Sequence, residues 1–338
     1  MKYKPPFPWF GGKAPVADVV WSRFGPVDNY VEPFFGSGAV LFLNPYGRAK
    51  YETVNDADGF LVNLWRAVQN APEEVARWAC NPVFECDLHA RHSWLVNRRT
   101  ELVERLEGDP DYYDAKIAGW WVWGACLWIG GGWCAGEGPW VVVDGRLVNR
   151  NEAGVEADCD GVNRQRPRLS NRVGVNSVGV GQQRLADLVE YFREIADRLA
   201  DVRVCCGNWD RVLGPNVTTR LGLTAVFLDP PYAVDAGRDG DIYAVDAHGL
   251  SSQVREWAIE NGQNPLMRIA LCGYEGEHDM PDDWESYAWS TQGGYANQGN
   301  GRGRDNKHRE RIWFSPHCLK PSRTVLPLFE GLSDVWED

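Results

Sequence analysis

The sequence predicts an α/β protein, and three observations predict it. Ala225-Val226-Phe227-Leu228 is a four-residue apolar run that stops at Asp229-Pro230-Pro231-Tyr232, the pattern of a strand buried in a parallel sheet. Residues 1–68 alternate strand-like and helix-like segments. The same rhythm returns near residue 182, after a stretch of different texture.

The elements follow in order. Lys13 to Arg23 reads as a helix. Tyr30-Val31-Glu32 reads as a short strand that runs into Phe34-Phe35-Gly36-Ser37-Gly38, and a helix starts over Ala39 to Leu43. Tyr51 to Val54 is a second strand, ending at Asn55-Asp56-Ala57-Asp58. From Phe60 to Val68, Leu61, Leu64, Trp65 and Val68 share one helical face, with Asp58 placed to cap it. Leu185, Leu188, Phe192, Ile195 and Leu199 make another such face. Val202 to Cys206, Arg268 to Cys272 and Arg311 to Phe314 read as strands. A helix is expected from a cap at Ser251 or Ser252 to Gly262. The simplest organisation is one α/β domain, residues 1–69 plus 182–320, interrupted by an inserted domain at 70–181 and followed by a proline-containing, acidic tail at 321–338.

A chain of 338 residues is long enough for about two domains, or one domain with an insertion. The net charge of −12 excludes adhesion to nucleic acid through bulk charge, so a nucleic-acid function needs a local basic patch. Two such patches exist. Residues 161–186 hold Arg164, Arg166, Arg168, Arg172 and Arg184 with no acid. Arg302, Arg304, Lys307, Arg309 and Arg311 outnumber Asp305 and Glu310 in a glycine-rich loop. No pair among the nine cysteines is spaced Cys-x-x-Cys, and Met1 to Phe10 is no secretory signal, so reduced thiols in a cytoplasm are expected. Residues 117–136 carry no charge, but their compact apolar part is too short for a membrane span and reads as a buried helix followed by a glycine loop. Six of the seventeen tryptophans (Trp120, Trp121, Trp123, Trp128, Trp133 and Trp140) fall between residues 120 and 140; most fit a small hydrophobic core, with Trp133 the expected exposed one.

Four motifs carry chemistry. Glycines at a strand-to-helix turn let backbone approach a ligand closely, although a tight turn without a ligand fits Phe34 to Gly38 equally well. An acid at the next strand end, Asp56, can accept hydrogen bonds from ribose hydroxyls while Asp58 caps the helix. At Asp229-Pro230-Pro231-Tyr232 the prolines stiffen the backbone, the Asp229 carboxylate and the Pro230 carbonyl can face one planar amino group, and Tyr232 can stack on the ring that bears it. In Trp9-Phe10-Gly11-Gly12-Lys13, a lysine after two glycines can meet a carboxylate as a point charge. Other patterns are poorer. Cys86-x-x-His89-x-x-His92 has no common zinc spacing, so no metal is expected. The spacing of Asp111, Asp114 and Lys116 is too short for a nuclease site, and His248 suits a structural role better than a catalytic one.

In this order the four motifs resemble a Dam-type (D12 class) DNA adenine-N6 methyltransferase, over residues 5–69 and about 182–316. The resemblance implies a Rossmann-like class I methyltransferase fold with a mixed, mostly parallel sheet and an inserted DNA target-recognition domain. It implies S-adenosylmethionine as cofactor, with Trp9 and Lys13 at its methionine end, Phe34, Gly36, Ser37 and Gly38 lining its cleft, Asp56 on the ribose, Asn208-Trp209 at its adenine and Asp229 at its edge. Asp229, Pro230, Pro231 and Tyr232 would be the catalytic set, acting on an adenine flipped out of double-stranded DNA. A cytoplasmic monomer needing no protein partner and no membrane is expected by the same likeness. The middle segment departs from the family, whose arginine-bearing hairpin has no counterpart here that aligns. Trp133, Arg164, Arg166, Arg168, Arg172, Arg302, Arg304 and Lys307 are therefore the DNA contacts expected on charge and exposure alone. The rival readings are cytosine-N4 methylation, methylation of RNA or of a glutamine side chain, and a catalytically silent DNA-binding module.

Overall fold

Alternation along the central strands sorts the side chains into two cores, and that sorting defines the architecture. The computed structural model describes residues 5–9, 11–128, 133–134, 140–143, 146–149, 180–232, 247–289 and 309–320. Seven strands form one sheet: β1 (Asn29–Glu32), β2 (Tyr51–Asp56), β5 (Val202–Cys206), β6 (Thr224–Leu228), β7 (Met267–Tyr274), β8 (Glu285–Ala288) and β9 (Glu310–Phe314). Their order is β5-β2-β1-β6-β7-β9-β8. The first five are mutually parallel, and β9 runs antiparallel to both β7 and β8. A separate antiparallel pair, β3 (Trp140–Val143) and β4 (Arg146–Asn149), lies in the middle segment.

Successive side chains of a strand point to opposite faces. Tyr30, Ala225, Phe227, Ala270, Cys272, Ile312 and Phe314 join one core. Their neighbours Val31, Val226, Leu228, Ile269, Leu271 and Trp313 join the other. Both faces are thus covered, as a parallel sheet requires. The second core is closed by α9 (Ala247–Gly262) through Val254 and Ala258. The first is closed by α1 (Ala17–Phe24), α2 (Ala39–Phe42), α3 (Gly59–Asn70) and α8 (Val180–Leu199). On α8, Leu188, Phe192, Ile195 and Leu199 are buried as the spacing predicts, and Leu185 is half-buried.

The helices are anchored by side chains that reach backbone. Asp58 caps α3 by accepting from the Phe60 N–H at 2.9 Å. Arg66 of α3 is buried and donates to the carbonyls of Val204, at 2.8 Å, and Leu106, at 3.1 Å. The Arg198 guanidinium of α8 pairs with Glu52 of β2 at 2.6 and 2.8 Å.

Two expectations are corrected. Pro15 lies in a short 3-10 turn, Ala14–Val16, so α1 proper starts only at Ala17. The helix expected from Ser251 or Ser252 begins a turn earlier, at Ala247; Ser251 lies inside it and donates to Glu277 Oε1 at 2.7 Å. The helices that follow residue 69 pack against the first core. Helices α4 (Pro72–Ala79), α5 (Glu85–Val96), α6 (Arg99–Gly108) and α7 (Ala115–Leu127) send Val75, Leu95, Leu106, Ile117 and Trp121 into the first core. The helix half of the reading of residues 117–136 agrees with α7, and most of the expected glycine loop lies outside the described residues. Among the described residues, no helix is long and apolar enough to cross a membrane.

The contact between α4 and α7 is close enough to test. A Cβ at Gly119 would collide with the Cβ of Trp78 and lie 2.8 Å from the Val75 carbonyl oxygen. Alanine is the better helix former by about 1 kcal/mol, but overpacking against fixed backbone costs about 1–3 kcal/mol. Gly119→Ala is expected to lower the melting temperature by several degrees in a thermal unfolding scan, and a rise would contradict the packing.

Candidate active site

The chain steps outward from β1 to β2 and β5, then resumes at β6 and steps the other way. The crevice beyond the carboxyl ends of β1 and β6 is therefore the switch point at which open α/β sheets bind ligands.

The turn after β1 is glycine-dependent. Gly36 has φ +47° and Gly38 φ +70°, both in the left-handed region. A Cβ at Gly36 would lie 2.7 Å from Trp9 Nε1, and one at Gly38 2.6 Å from the Phe35 and Phe42 rings. The turn is held from β2: Asp56 Oδ2 accepts from the Gly36 N–H and Oδ1 from the Asp58 N–H, both at 2.9 Å. Burial pushes the Asp56 carboxyl up to about 6, against the pull of those N–H donors. Asn55 donates to the carbonyls of Pro33 and Gly207, at 3.1 and 2.9 Å, which ties the ends of β1, β2 and β5 together. Ser37 is buried. Past β5, Asn208 accepts from the Trp209 N–H at 2.9 Å and is itself exposed. Trp209 lies nearly parallel to Phe34, with ring centroids 6.1 Å apart and planes 20° apart.

The turn after β6 gathers charge. Lys13 Nζ lies 2.8 Å from Asp229 Oδ2 and donates to the Gly11 carbonyl at 2.8 Å. The Lys13 side chain is 5% exposed and that of Asp229 21%, so the carboxylate keeps an open edge. Burial alone would lower the Lys13 pKa, but the carboxylates of Asp229 and Glu310 outweigh it and hold the ammonium above its ordinary range. Tyr232 is buried. Its hydroxyl donates to Glu310 Oε2 at 2.8 Å and lies 3.3 Å from Asp229 Oδ1. Burial, Asp229 and Glu310 together push that phenol well above its usual pKa. The Tyr232 ring meets Tyr274 edge-on, with centroids 4.6 Å apart. Glu32 is buried beneath, accepts from the Tyr30 hydroxyl at 2.8 Å, and is raised well above the carboxylate range by burial.

Residues 9–102 match the family model of the D12 class N6 adenine-specific DNA methyltransferase. The chain is similar to that class. Adenine methylation of DNA is what the class does, and the mixed, mostly parallel sheet is consistent with a methyltransferase fold. The matched stretch holds the Trp9-to-Lys13 motif, the Gly36 turn and Asp56, and it runs past residue 69 into the helices that share the first core. Asp229 and Tyr232 lie outside it. No curated relative matches the chain.

Two groups of expected site residues assemble. Trp9, Gly36 and Asp56 touch at the β1 turn, and Lys13, Asp229 and Tyr232 touch at the β6 turn; Pro230 is buried and Pro231 half-buried between them. Lys13, expected at the methionine end of a cofactor, has its ammonium on the Asp229 carboxylate. Trp133, expected exposed, is half-buried. Gly124 leaves a notch on α7 that its ring fills, and its indole N–H donates to the Trp121 carbonyl at 3.0 Å. His92 is packed against the same cluster, stacked on Trp128 with centroids 4.9 Å apart, and burial lowers it to about 4. Arg164, Arg166, Arg168, Arg172, Arg302, Arg304, Lys307 and the His248 side chain lie outside the described residues.

Sequence reasoning missed Glu310, Tyr274 and Trp289, whose ring lies 5.8 Å from Lys13 Nζ. Glu310 opens an apolar strand directly after a run of arginines, where it reads as one more surface charge.

The Asp56 carboxyl gives a pH test. Its folded value of about 6 lies above its unfolded 3.8, so the native state keeps a proton that the unfolded state releases. The stability from this group is therefore full below about pH 4 and is lost as pH rises through about 6. In urea unfolding, the stability advantage of wild type over Asp56→Asn is expected to be larger at pH 4.5 than at pH 7.5. An equal advantage at both would show that Asp56 titrates normally.

Proposed function

We propose that this protein transfers a methyl group from S-adenosylmethionine to the N6 amine of an adenine flipped out of double-stranded DNA, at a specific site. The observation that carries the reading is that the Asp229–Tyr232 pair and the Gly36–Asp56 turn follow the carboxyl ends of neighbouring strands of one parallel sheet.

The residues present fit the cofactor by the chemistry of their donors and rings. Asp56 keeps a second lone pair on each oxygen for a ribose diol, and Phe34 and Trp209 present nearly parallel aromatic planes for an adenine. When bound, S-adenosylmethionine supplies an electrophilic methyl group, whose transfer to nitrogen breaks a carbon–sulfur bond. The chain's own part is positioning. Asp229 and the Pro230 carbonyl accept the two N6 hydrogens, which turns the nitrogen lone pair toward the methyl group. Tyr232 stacks on the extruded base. The Asp229 carboxylate then stabilises the positive charge that grows on the amine, whose surplus proton leaves to solvent at the open edge of Asp229, with no covalent enzyme intermediate. Arginines of residues 164–172 and 302–304, with Lys307, supply the phosphate and base-edge contacts that an acidic protein needs locally.

Asp229→Ala is expected to abolish transfer while leaving DNA binding largely intact. Single-molecule modification sequencing of DNA from cells expressing wild type should show N6-methyladenine in one short context, absent with the variant. Modified cytosine in its place would contradict the reading, and so would a variant that still methylates.

A further inference from the structure

We propose that Glu310, at the start of β9, is a positioning residue for methyl transfer: it draws the Tyr232 hydroxyl proton to itself and so keeps Asp229 Oδ1 a strong acceptor for the substrate amine. The inference rests on the adenine-methylation reading and adds to it a residue from the antiparallel part of the sheet.

The geometry is a competition. A tyrosine hydroxyl has one proton to donate. Two carboxylates lie within its reach, Glu310 Oε2 at 2.8 Å and Asp229 Oδ1 at 3.3 Å. The shorter contact takes the proton, because hydrogen bonds weaken as they lengthen. Asp229 Oδ2 is already committed to Lys13 at 2.8 Å. Each carboxylate oxygen has two lone pairs, so Oδ1, which carries no ammonium, is the stronger acceptor left for an incoming amine. Glu310 is 6% exposed and arrives from a strand paired to β7, with Tyr274 opposite it in register, so its position is fixed by the sheet. Tyr274 also lies against the edge of the Tyr232 ring. Without Glu310, the hydroxyl would turn its proton to Asp229 Oδ1, take one of its two lone pairs and weaken the one that the amine must use. The same bond fixes the plane of the ring on which a flipped base stacks.

The test uses the full chain, with steady-state kinetics on duplex DNA and binding of S-adenosylhomocysteine as probe. Glu310→Ala is expected to lower kcat roughly 100-fold, the scale of a 1 Å misplacement. Cofactor-product affinity should stay within about threefold, since the loss arises in the transition state. Glu310→Gln, which still offers an acceptor, should recover most of the loss. Tyr232→Phe added to Glu310→Ala should be faster than Glu310→Ala alone, because no hydroxyl is left to occupy Asp229. A purely structural role for Glu310 would give no such gain. If the alanine variant does not fold, Glu310→Met, of similar length and without an acceptor, is expected to show the same loss. Turnover near wild type in the Ala or Met variant would overturn the proposal, as would a double variant no faster than Glu310→Ala. Should wild type transfer no methyl group to adenine, the activity assignment falls instead. A crystal structure of Glu310→Met then decides: a Tyr232 hydroxyl that has not moved to Asp229 Oδ1 overturns the competition.

Discussion

Everything at the site depends on β1 and β6 lying side by side and parallel. Asn29 and Thr224 are partners in register although 195 positions apart in the chain. Parallel pairing places both carboxyl ends at one edge of the sheet, so the Gly36 turn and Asp229 become neighbours. Antiparallel pairing would have put them at opposite edges. Loop-closure entropy grows only slowly with length, so a long segment between the two strands costs little more than a short one. The pairing also fixes which core each side chain enters, because a slip of one residue would exchange Tyr30 for Val31 and Phe227 for Val226.

The second constraint is buried charge. Asp229 and Glu310 converge at the end of β6, and carboxylates there are tolerable only if paired or hydrogen-bonded. Lys13 and the Tyr232 hydroxyl meet that need. Lys13 belongs to the segment before α1, so this N-terminal strap must lie across the sheet edge. Its hold comes from an unexpected quarter. Phe7 packs against Trp65 of α3 and Trp121 of α7, and the Cys126 thiol of α7 lies 3.3 Å from the Pro6 carbonyl. Trp9 in turn rests against Phe7 and the Gly36 turn. The middle segment therefore supports this sheet edge through α7, and its first helices pack as part of the same body.

Much of this was legible in the sequence, and the divide is physical. Strands β1, β2, β5, β6 and β7 announce themselves by apolar alternation or runs, and Asp58 by its place one residue before a helical face. Motif order carried the D12 resemblance, because a turn, an acid and a proline-stiffened strand end each leave a local signature. Pairings between distant residues leave none. Nothing near Glu310 says that it faces Tyr232, and nothing near Lys13 separates a bound carboxylate from Asp229. The early start of α9 was hidden because Ser251 looks like a cap, whereas its hydroxyl serves Glu277 across the sheet end. The shift in composition after residue 69 is not a change in packing there: α7 is tryptophan-rich and glycine-notched, yet with α4 it closes the same core as α3.

The tryptophans of that segment also show how an almost uncharged helix can lie near the surface. α7 is apolar around most of its circumference, which ordinarily means burial on all sides. Trp121 and Trp123 are buried, but Trp78, Trp94 and Trp120 are only half-buried. Cations cover them. The Arg98 guanidinium lies 3.8 Å from the Trp94 ring centre, Lys116 Nζ 4.8 Å from Trp94 and 4.4 Å from Trp120, and Arg91 5.0 Å from Trp120 and 4.1 Å from Trp123. Each long side chain lays its stem or its guanidinium plane along an indole face, so the rings meet a cation where they would otherwise meet water. Indole and cation alternate from Arg98 to Trp123 across α5 and α7, and the outer face of α7 is finished without a further layer of helix. The inner face of the same helix is left free to hold Phe7, and through Phe7 the strap that brings Lys13 to Asp229.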